Sequence, residues 1–300
     1  MKIGIDIGGS HIGIGLIEKQ EIIASKEKIF NREDRKNIED TIINSIKELI
    51  SELLTENNLS IDEIKVIGIA APGTISSGTI IKAGNLNIKN FDIVNRLKEI
   101  YNNPIQIRND GKCAALAEKV YGAMKNYDDC VFINIGTGIG GAAFLGGKLL
   151  EPKRFSGFEF GHMVLNKGGR LCSCGKQGCF EAYSSIKALK NKVTETLDMD
   201  SDISGQYLRE ELLIKDDPGV KEDIDVFLEY LKTGIGNLID IFEPEIVCLG
   251  GSFAYYEGNP VLDQLIKKLE KEDSTFNNSL PKIVTAELKN DAGIIGAVIS

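Results

Sequence analysis

The chain has 300 residues, 42% of them hydrophobic, and a formal net charge of −9. That length can bury a large core and lies near the point where one core divides into two. The acidic balance, with no evident basic face, argues against nucleic-acid binding. No run approaches the roughly 20 uninterrupted apolar residues of a membrane span. The N-terminal residues enter an apolar strand directly, without the regions of a secretory leader, so a cytoplasmic protein is expected.

The first element, "IGIDIGGSHIGIGLI" (Ile3 to Ile17), reads as a β-hairpin. An apolar strand carries Asp6, a glycine turn at Gly8 and Gly9 adds the Ser10 hydroxyl, and a second apolar strand follows. "RKNIEDTIINSIKELISELLTE" (Arg35 to Glu56) repeats Ile and Leu at spacings of three and four, which predicts a helix. "IKVIGIAAPG" (Ile64 to Gly73) is a buried-type strand running into glycine. "PIQIRND" reads as a strand and "GKCAALAEKVYGAM" as a helix. Asp110 therefore falls at a strand end just before a helix N-terminus, where ligand clefts form in α/β sheets. Asp and Asn are also favoured helix N-caps, and the local sequence does not separate the two roles.

The second half repeats this pattern. "VFINIGTGIGGAAFL" (Val131 to Leu145) aligns without a gap on the first hairpin, with Asn134 in place of Asp6 and a hydroxyl at Thr137. "IDVFLEYLKTGIGNLIDIF" (Ile224 to Phe242) has helical periodicity, and the acidic run "KEDIDV" reads as its solvated start. "PEIVCLGGS" (Pro244 to Ser252) is again a strand running into glycine, at Gly250 and Gly251. Internal duplication is the simplest account: two α/β domains, each offering a glycine hairpin to a cleft.

Phosphate oxygens need close backbone approach and several N–H donors, which glycine permits. There is no G-x-x-x-x-G-K-[ST] motif. The residues after Gly9 alternate like a strand where a Rossmann fingerprint requires a helix. Paired hairpins point instead to ATP held in an interdomain cleft, with Asp6 suited to a hydrated Mg²⁺.

Between Gly157 and Tyr183 the spacing H-x₉-C-x-C-x₄-C gathers His162, Cys172, Cys174 and Cys179. In a reducing compartment clustered cysteines are more often metal ligands than disulfides. Three thiolates and an imidazole make a closed, structural Zn²⁺ site; free thiols or a disulfide are the alternatives. Gly168, Gly169, Gly175 and Gly178 let the chain wrap tightly. A zinc knot would fix the flanking carboxylates Glu159 and Glu181, which can accept hydroxyl hydrogen bonds from a polyol. It would also leave one nitrogen of His162 free for the same purpose. Cys113, Cys130 and Cys248 sit in apolar contexts and read as small core residues.

These motifs, with "AGNL" (Ala83 to Leu86), "NDGKCAALAE" (Asn109 to Glu118) and "DAGIIGA" from Asp291, resemble the ROK family of sugar kinases and repressors over almost the whole chain. That family belongs to the actin–hexokinase–heat-shock-ATPase fold group. The resemblance implies an α/β chain of two duplicated ribonuclease-H-like domains with an interdomain cleft. The first would cover residues 1–117 with residues 290–300 returning to it, and the second residues 118–289. It implies ATP-dependent phosphorylation of a hexose, usually at O6. Asp110 then falls on the catalytic base, and Asn85, Asn109, Glu159, His162 and Glu181 fall on sugar-contacting positions. Asp6, Gly8, Gly9 and Ser10 form the first phosphate loop and Thr137 and Gly138 the second, while Gly250 and Gly251 lie near adenine.

Glucose is the expected acceptor, with N-acetylmannosamine, N-acetylglucosamine, fructose and β-glucosides open, as is a non-catalytic sugar sensor. Repressors of the family carry a DNA-binding segment before the first hairpin. Here the hairpin begins at Ile3, which favours the kinase branch. Relatives are commonly dimers or tetramers, so a homo-oligomer is expected. Two departures stand out: His11 occupies a common lysine position, and "NDGK" replaces the more usual "NDAN".

Overall fold

A computed structural model of the chain describes residues 1–152, 158–271 and 280–299. The chain divides into two compact units. The first comprises Met1–Gly122, Glu151 and Pro152, and the segment from Asn290; the second comprises Ala123–Leu150 and most of the chain from Phe158 to Lys289.

In the first unit β1 (Lys2–Ile7), β2 (His11–Glu18) and β3 (Glu21–Ile29) form an antiparallel meander. β4 (Ile67–Ala71) adds parallel to β1, a small antiparallel sheet of β5 (Thr74–Ser76), β6 (Thr79–Ala83) and β7 (Ile88–Phe91) follows, and β8 (Ile105–Asn109) adds parallel to β4. The main sheet order is β3-β2-β1-β4-β8. Period-two alternation puts Ile3, Ile5 and Ile7 into one buried cluster with Ile42, Ile46, Leu49 and Leu53 of the helix Ile38–Glu56. Each such side chain contributes about 1.5–3 kcal/mol by burial.

The alternate positions carry Gly4 and Asp6, and there the C-terminal helix Asp291–Ala297 lies against the sheet. A Cβ on Gly4 would stand 2.1 Å from the Ile294 carbonyl oxygen, and one on Gly68 2.0 Å from that of Ala297. These glycines exist to admit a helix, not a phosphate.

The second unit repeats the topology with β9 (Cys130–Ile135), β10 (Ile139–Leu145), β11 (Lys148–Leu149), β12 (Ile246–Gly250) and β13 (Lys282–Thr285) in the order β11-β10-β9-β12-β13. Its strands bury Val131, Ile133 and Ile135 against Leu228, Leu231, Ile235 and Leu238 of the helix Pro218–Phe242. An antiparallel hairpin followed by parallel strands, in the same order twice, is the architecture the duplication predicts.

The gapless alignment of the hairpins holds only to their tips. In the first, four residues (Gly8–His11) separate the paired Ile7 and Ile12; in the second, three (Gly136–Gly138) separate Ile135 and Ile139. Asp6 faces Gly13, whereas Asn134 faces Gly140 where the alignment calls for Gly141. A slip of one residue exchanges the faces of a strand, so β2 and β10 are not equivalent position by position.

The reading of "KEDIDV" as a solvated helix start is also corrected. The helix begins at Pro218, Asp217 caps it by accepting the Val220 N–H at 3.0 Å, and Asp223 is buried and accepts from Thr196 Oγ1 at 2.6 Å. Cys113, Cys130 and Cys248 are buried.

Candidate active site

In the first unit the strand-to-helix junction at the end of β8 places Asn109 and Asp110. Asn109 is the N-cap of the helix Asp110–Val120: its Oδ1 accepts from the Lys112 N–H at 3.3 Å. Its Nδ2 donates to the Gly73 carbonyl at 3.1 Å, which ties the junction to the end of β4. Asp110 is thereby the first helical residue, and its Oδ1 accepts from the Gly111 N–H at 2.8 Å. The alternative reading of Asp110 as the cap is thus excluded. Among the described residues these bonds engage one lone pair and one N–H of the Asn109 amide, which has two of each.

Asp6 stands within electrostatic reach of Asp110. Burial first, and the Asp110 charge second, push its carboxyl up to about 7. Burial disfavours the charged form and a nearby carboxylate does the same. Its carboxyl packs against Gly293, where a Cβ would lie 2.5 Å from Oδ2. Oxygen donors of this kind suit Mg²⁺, which keeps most of its waters.

At the first hairpin tip Gly9 and Asn85 are neighbours: a Cβ on Gly9 would lie 3.2 Å from Asn85 Nδ2. Ser10 Oγ lies 3.5 Å from His11 Nδ1. Arg35, which nothing in its sequence context singles out, donates from Nη2 to the Gly9 carbonyl at 2.8 Å.

The second unit holds the remaining predicted residues. The donor atoms of His162, Cys172, Cys174 and Cys179 all lie within 4.8 Å of one another. Around a tetrahedral Zn²⁺ with sulfur at about 2.3 Å and nitrogen at about 2.0–2.1 Å, neighbouring donors stand about 3.5–3.8 Å apart. Cys174 Sγ and Cys179 Sγ are 3.7 Å apart, and Cys172 Sγ is 3.6 Å from His162 Nδ1. These spacings fit zinc and are too long for a disulfide, whose S–S bond is about 2.0 Å. Burial first, and the neighbouring thiols second, push Cys179 up to about 12, while Cys174 is lowered; a bound cation would favour the thiolate form of all three. Nδ1 is the ring nitrogen beside Cys172 Sγ, which would leave Nε2 to a hydrogen-bonding partner.

Backbone bonds from Cys172 N–H to the Lys176 carbonyl (2.8 Å) and from Gly178 N–H to that of Arg170 (2.8 Å) fold this loop. Gly178, at φ +84°, has no room for a side chain: a Cβ would lie 1.7 Å from the Asn166 carbonyl oxygen.

The two flanking carboxylates differ. Glu159 is exposed, next to Phe158 at φ +55°. Phe158 packs at ring distances of 6.0 and 6.1 Å on Phe160 and Phe242. Such a backbone costs of order 1–3 kcal/mol and persists only where the surroundings enforce it. Glu181 is committed on both oxygens: Oε2 accepts from the Ile139 N–H at 3.0 Å and Oε1 from Ser173 Oγ at 3.0 Å. Ser173, between two zinc-type cysteines, carried no sequence signal for this role.

Thr137 and Gly138 form the tip that Glu181 abuts, and Gly136 N–H closes the turn on the Gly138 carbonyl at 2.9 Å. Gly250 ends β12, and Gly251 follows at φ +66° against Asn134, where a Cβ would lie 2.4 Å from Oδ1.

Two mixed five-stranded sheets of one repeated topology, each with a glycine-tipped hairpin, make this an α/β protein of the actin-like fold class. Within that class the chain belongs to the ROK family, whose model matches residues 2–299. A glucokinase of Streptomyces coelicolor is 28% identical over 99% of this chain and 96% of its own length. The xylose repressor of Bacillus subtilis is 31% identical over 87% of this chain and 66% of its own. A ROK family glucokinase from Streptomyces griseus, solved with glucose and AMPPNP, superposes with a TM-score of 0.80 at 25% identity and covers 99% of this chain and 97% of that one. The family thus holds kinases and repressors. Among the described residues no helix is long and apolar enough to cross a membrane.

Proposed function

We propose that the protein is an ATP-dependent hexose kinase, with glucose the leading acceptor and the 6-hydroxyl the site of transfer. The observation that carries this reading is the junction at residues 109 and 110, where Asn109 and not Asp110 is the helix cap and the Asp110 charge lies close enough to the buried Asp6 to raise its carboxyl. A related glucokinase of the family binds glucose and AMPPNP.

In this reading Asp110 orients the hexose hydroxyl. As its oxygen bonds the γ-phosphorus, the bond to the ADP oxygen breaks and the hydroxyl proton passes to the Asp110 carboxylate. Transfer of this kind runs through a loose transition state, so positioning and charge neutralisation dominate. The backbone at Gly8, Gly9 and Ser10 and at Thr137 and Gly138 would meet phosphate oxygens, with Ser10 and Thr137 adding hydroxyls. Asp6 would hold Mg²⁺ through its waters, and Gly250 and Gly251 would border the adenine. Asn85, Asn109, Glu159, His162 and Glu181 would contact sugar hydroxyls. His162, Cys172, Cys174 and Cys179 would hold a structural zinc, which supplies a rigid cross-link and no open coordination site.

The test is ADP release measured across a panel of hexoses and N-acetylhexosamines. Hexose-dependent release supports the kinase, and the preferred sugar reads out specificity. The 31% identity to a xylose repressor favours one second reading, a sugar sensor without turnover. It predicts saturable hexose binding with no ADP release.

A further inference from the structure

The second glycine hairpin is tied at both ends. At its start the Gly136 carbonyl accepts from the Ile186 N–H at 2.9 Å. At its end the Ile139 N–H is held by Glu181 Oε2 at 3.0 Å. The same carboxylate's other oxygen takes the Ser173 hydroxyl at 3.0 Å and lies 3.9 Å from Cys172 Sγ. One side chain therefore spans from the cysteine loop to the glycine tip.

The tip is built around it: a Cβ on Gly138 would lie 2.3 Å from Glu181 Oε2, so only glycine lets the backbone come this close. Among the described residues the Thr137 and Gly138 N–H groups donate to no protein acceptor, while Gly136 and Ile139, on either side, are bonded. The hairpin thus offers two successive N–H donors on a turn whose flanks are pinned, an arrangement that suits an anion.

We infer that Glu181 is a positioning residue that holds this hairpin in its anion-binding form, so that metal occupancy of the cysteine loop and nucleotide affinity are coupled. The inference rests on the kinase reading in taking the anion to be a nucleotide phosphate. An ordered cysteine loop fixes Ser173, Ser173 fixes Glu181, and Glu181 fixes Ile139. Coupling is reciprocal: whatever factor zinc adds to nucleotide affinity, the nucleotide adds to zinc affinity.

Calorimetric titration of AMPPNP without sugar tests this on the zinc-loaded chain and its variants, with zinc content measured for each. Glu181→Ala is expected to weaken AMPPNP binding by roughly fivefold or more, the lower end of typical coupling, at unchanged zinc content. Ser173→Ala, which removes the hydroxyl that holds Glu181 and lies 3.9 Å from Cys172 Sγ, is expected to weaken it in the same direction at unchanged zinc content. Glu181→Gln can still accept from Ile139 N–H and meet Ser173, so it is expected to stay within about twofold of the parent, a rescue that pure loss of packing would not show. Stripping zinc from the parent should reproduce the Glu181→Ala loss, and stripping it from Glu181→Ala should add nothing further. Parent-like affinity in Glu181→Ala, or an equal zinc effect with and without Glu181, overturns the inference. A parent chain that does not bind AMPPNP at all overturns the nucleotide reading instead.

Discussion

Asn109 accepts the Lys112 N–H and leaves Asp110, its neighbour, as the first residue of the helix it caps. Two adjacent residues of similar capping strength thus divide their places: Asn109 caps the helix, and Asp110 opens it with Oδ1 on the Gly111 N–H. Asp110→Asn should lower kcat by about 10²- to 10⁴-fold, the usual worth of a general base. Hexose affinity and thermal midpoint should stay close to the parent's. Steady-state kinetics with a thermal melt checks it; a variant retaining most of its kcat removes Asp110 from the role.

Asp6 gives a pH signature. Burial and the Asp110 charge push its folded carboxyl up to about 7 from the ordinary 3.8. The folded chain therefore keeps a proton that the unfolded chain has lost, and stability falls as pH rises from about 4 to about 7, levelling off above. The slope from one such group is at most about 1.4 kcal/mol per pH unit. Asp6→Asn should flatten this slope and be more stable than the parent at pH 8. Urea unfolding at pH 5 and pH 8 measures it; equal slopes in the two proteins contradict the assignment.

The packing glycines make a stability prediction. Gly4→Ala places a methyl 2.1 Å from the Ile294 carbonyl oxygen. The helix Asp291–Ala297 must move away, at a cost of about 1–3 kcal/mol typical of overpacking. Gly140→Ala, with open space at its Cβ position, should be far milder. Chemical denaturation of the pair checks the contrast; similar losses would refute it.

Much of this was legible in the residues. The alternation at Ile3, Ile5 and Ile7 and the Ile and Leu spacing in Arg35–Glu56 are local patterns. Strand and helix followed from them, although the α-helix starts at Ile38, after a 3₁₀ turn at Asp34–Asn37. The His162, Cys172, Cys174 and Cys179 cluster was legible because metal chemistry admits few donor sets. What escaped depends on contacts between distant segments: the shorter second hairpin tip, the glycines that admit the C-terminal helix, Arg35 on Gly9, and the double engagement of Glu181.

Zinc should matter to sugar binding too. His162 belongs to the four-residue cluster whose spacing fits zinc and is also a predicted sugar contact, and Glu181 is anchored through the cysteine loop. Cys174→Ser or exhaustive chelation should raise the hexose KM several-fold and lower the thermal midpoint. Metal analysis paired with kinetics checks this; a metal-free protein with unchanged KM contradicts it.

The most direct test follows phosphorus itself. The purified chain is incubated with Mg-ATP and glucose, and ³¹P NMR is recorded on the products. The account predicts a hexose 6-phosphate resonance growing with ADP, and its absence over the same period with Asp110→Asn. Glucose and the other hexoses binding saturably while every ATP resonance stays unchanged would contradict it.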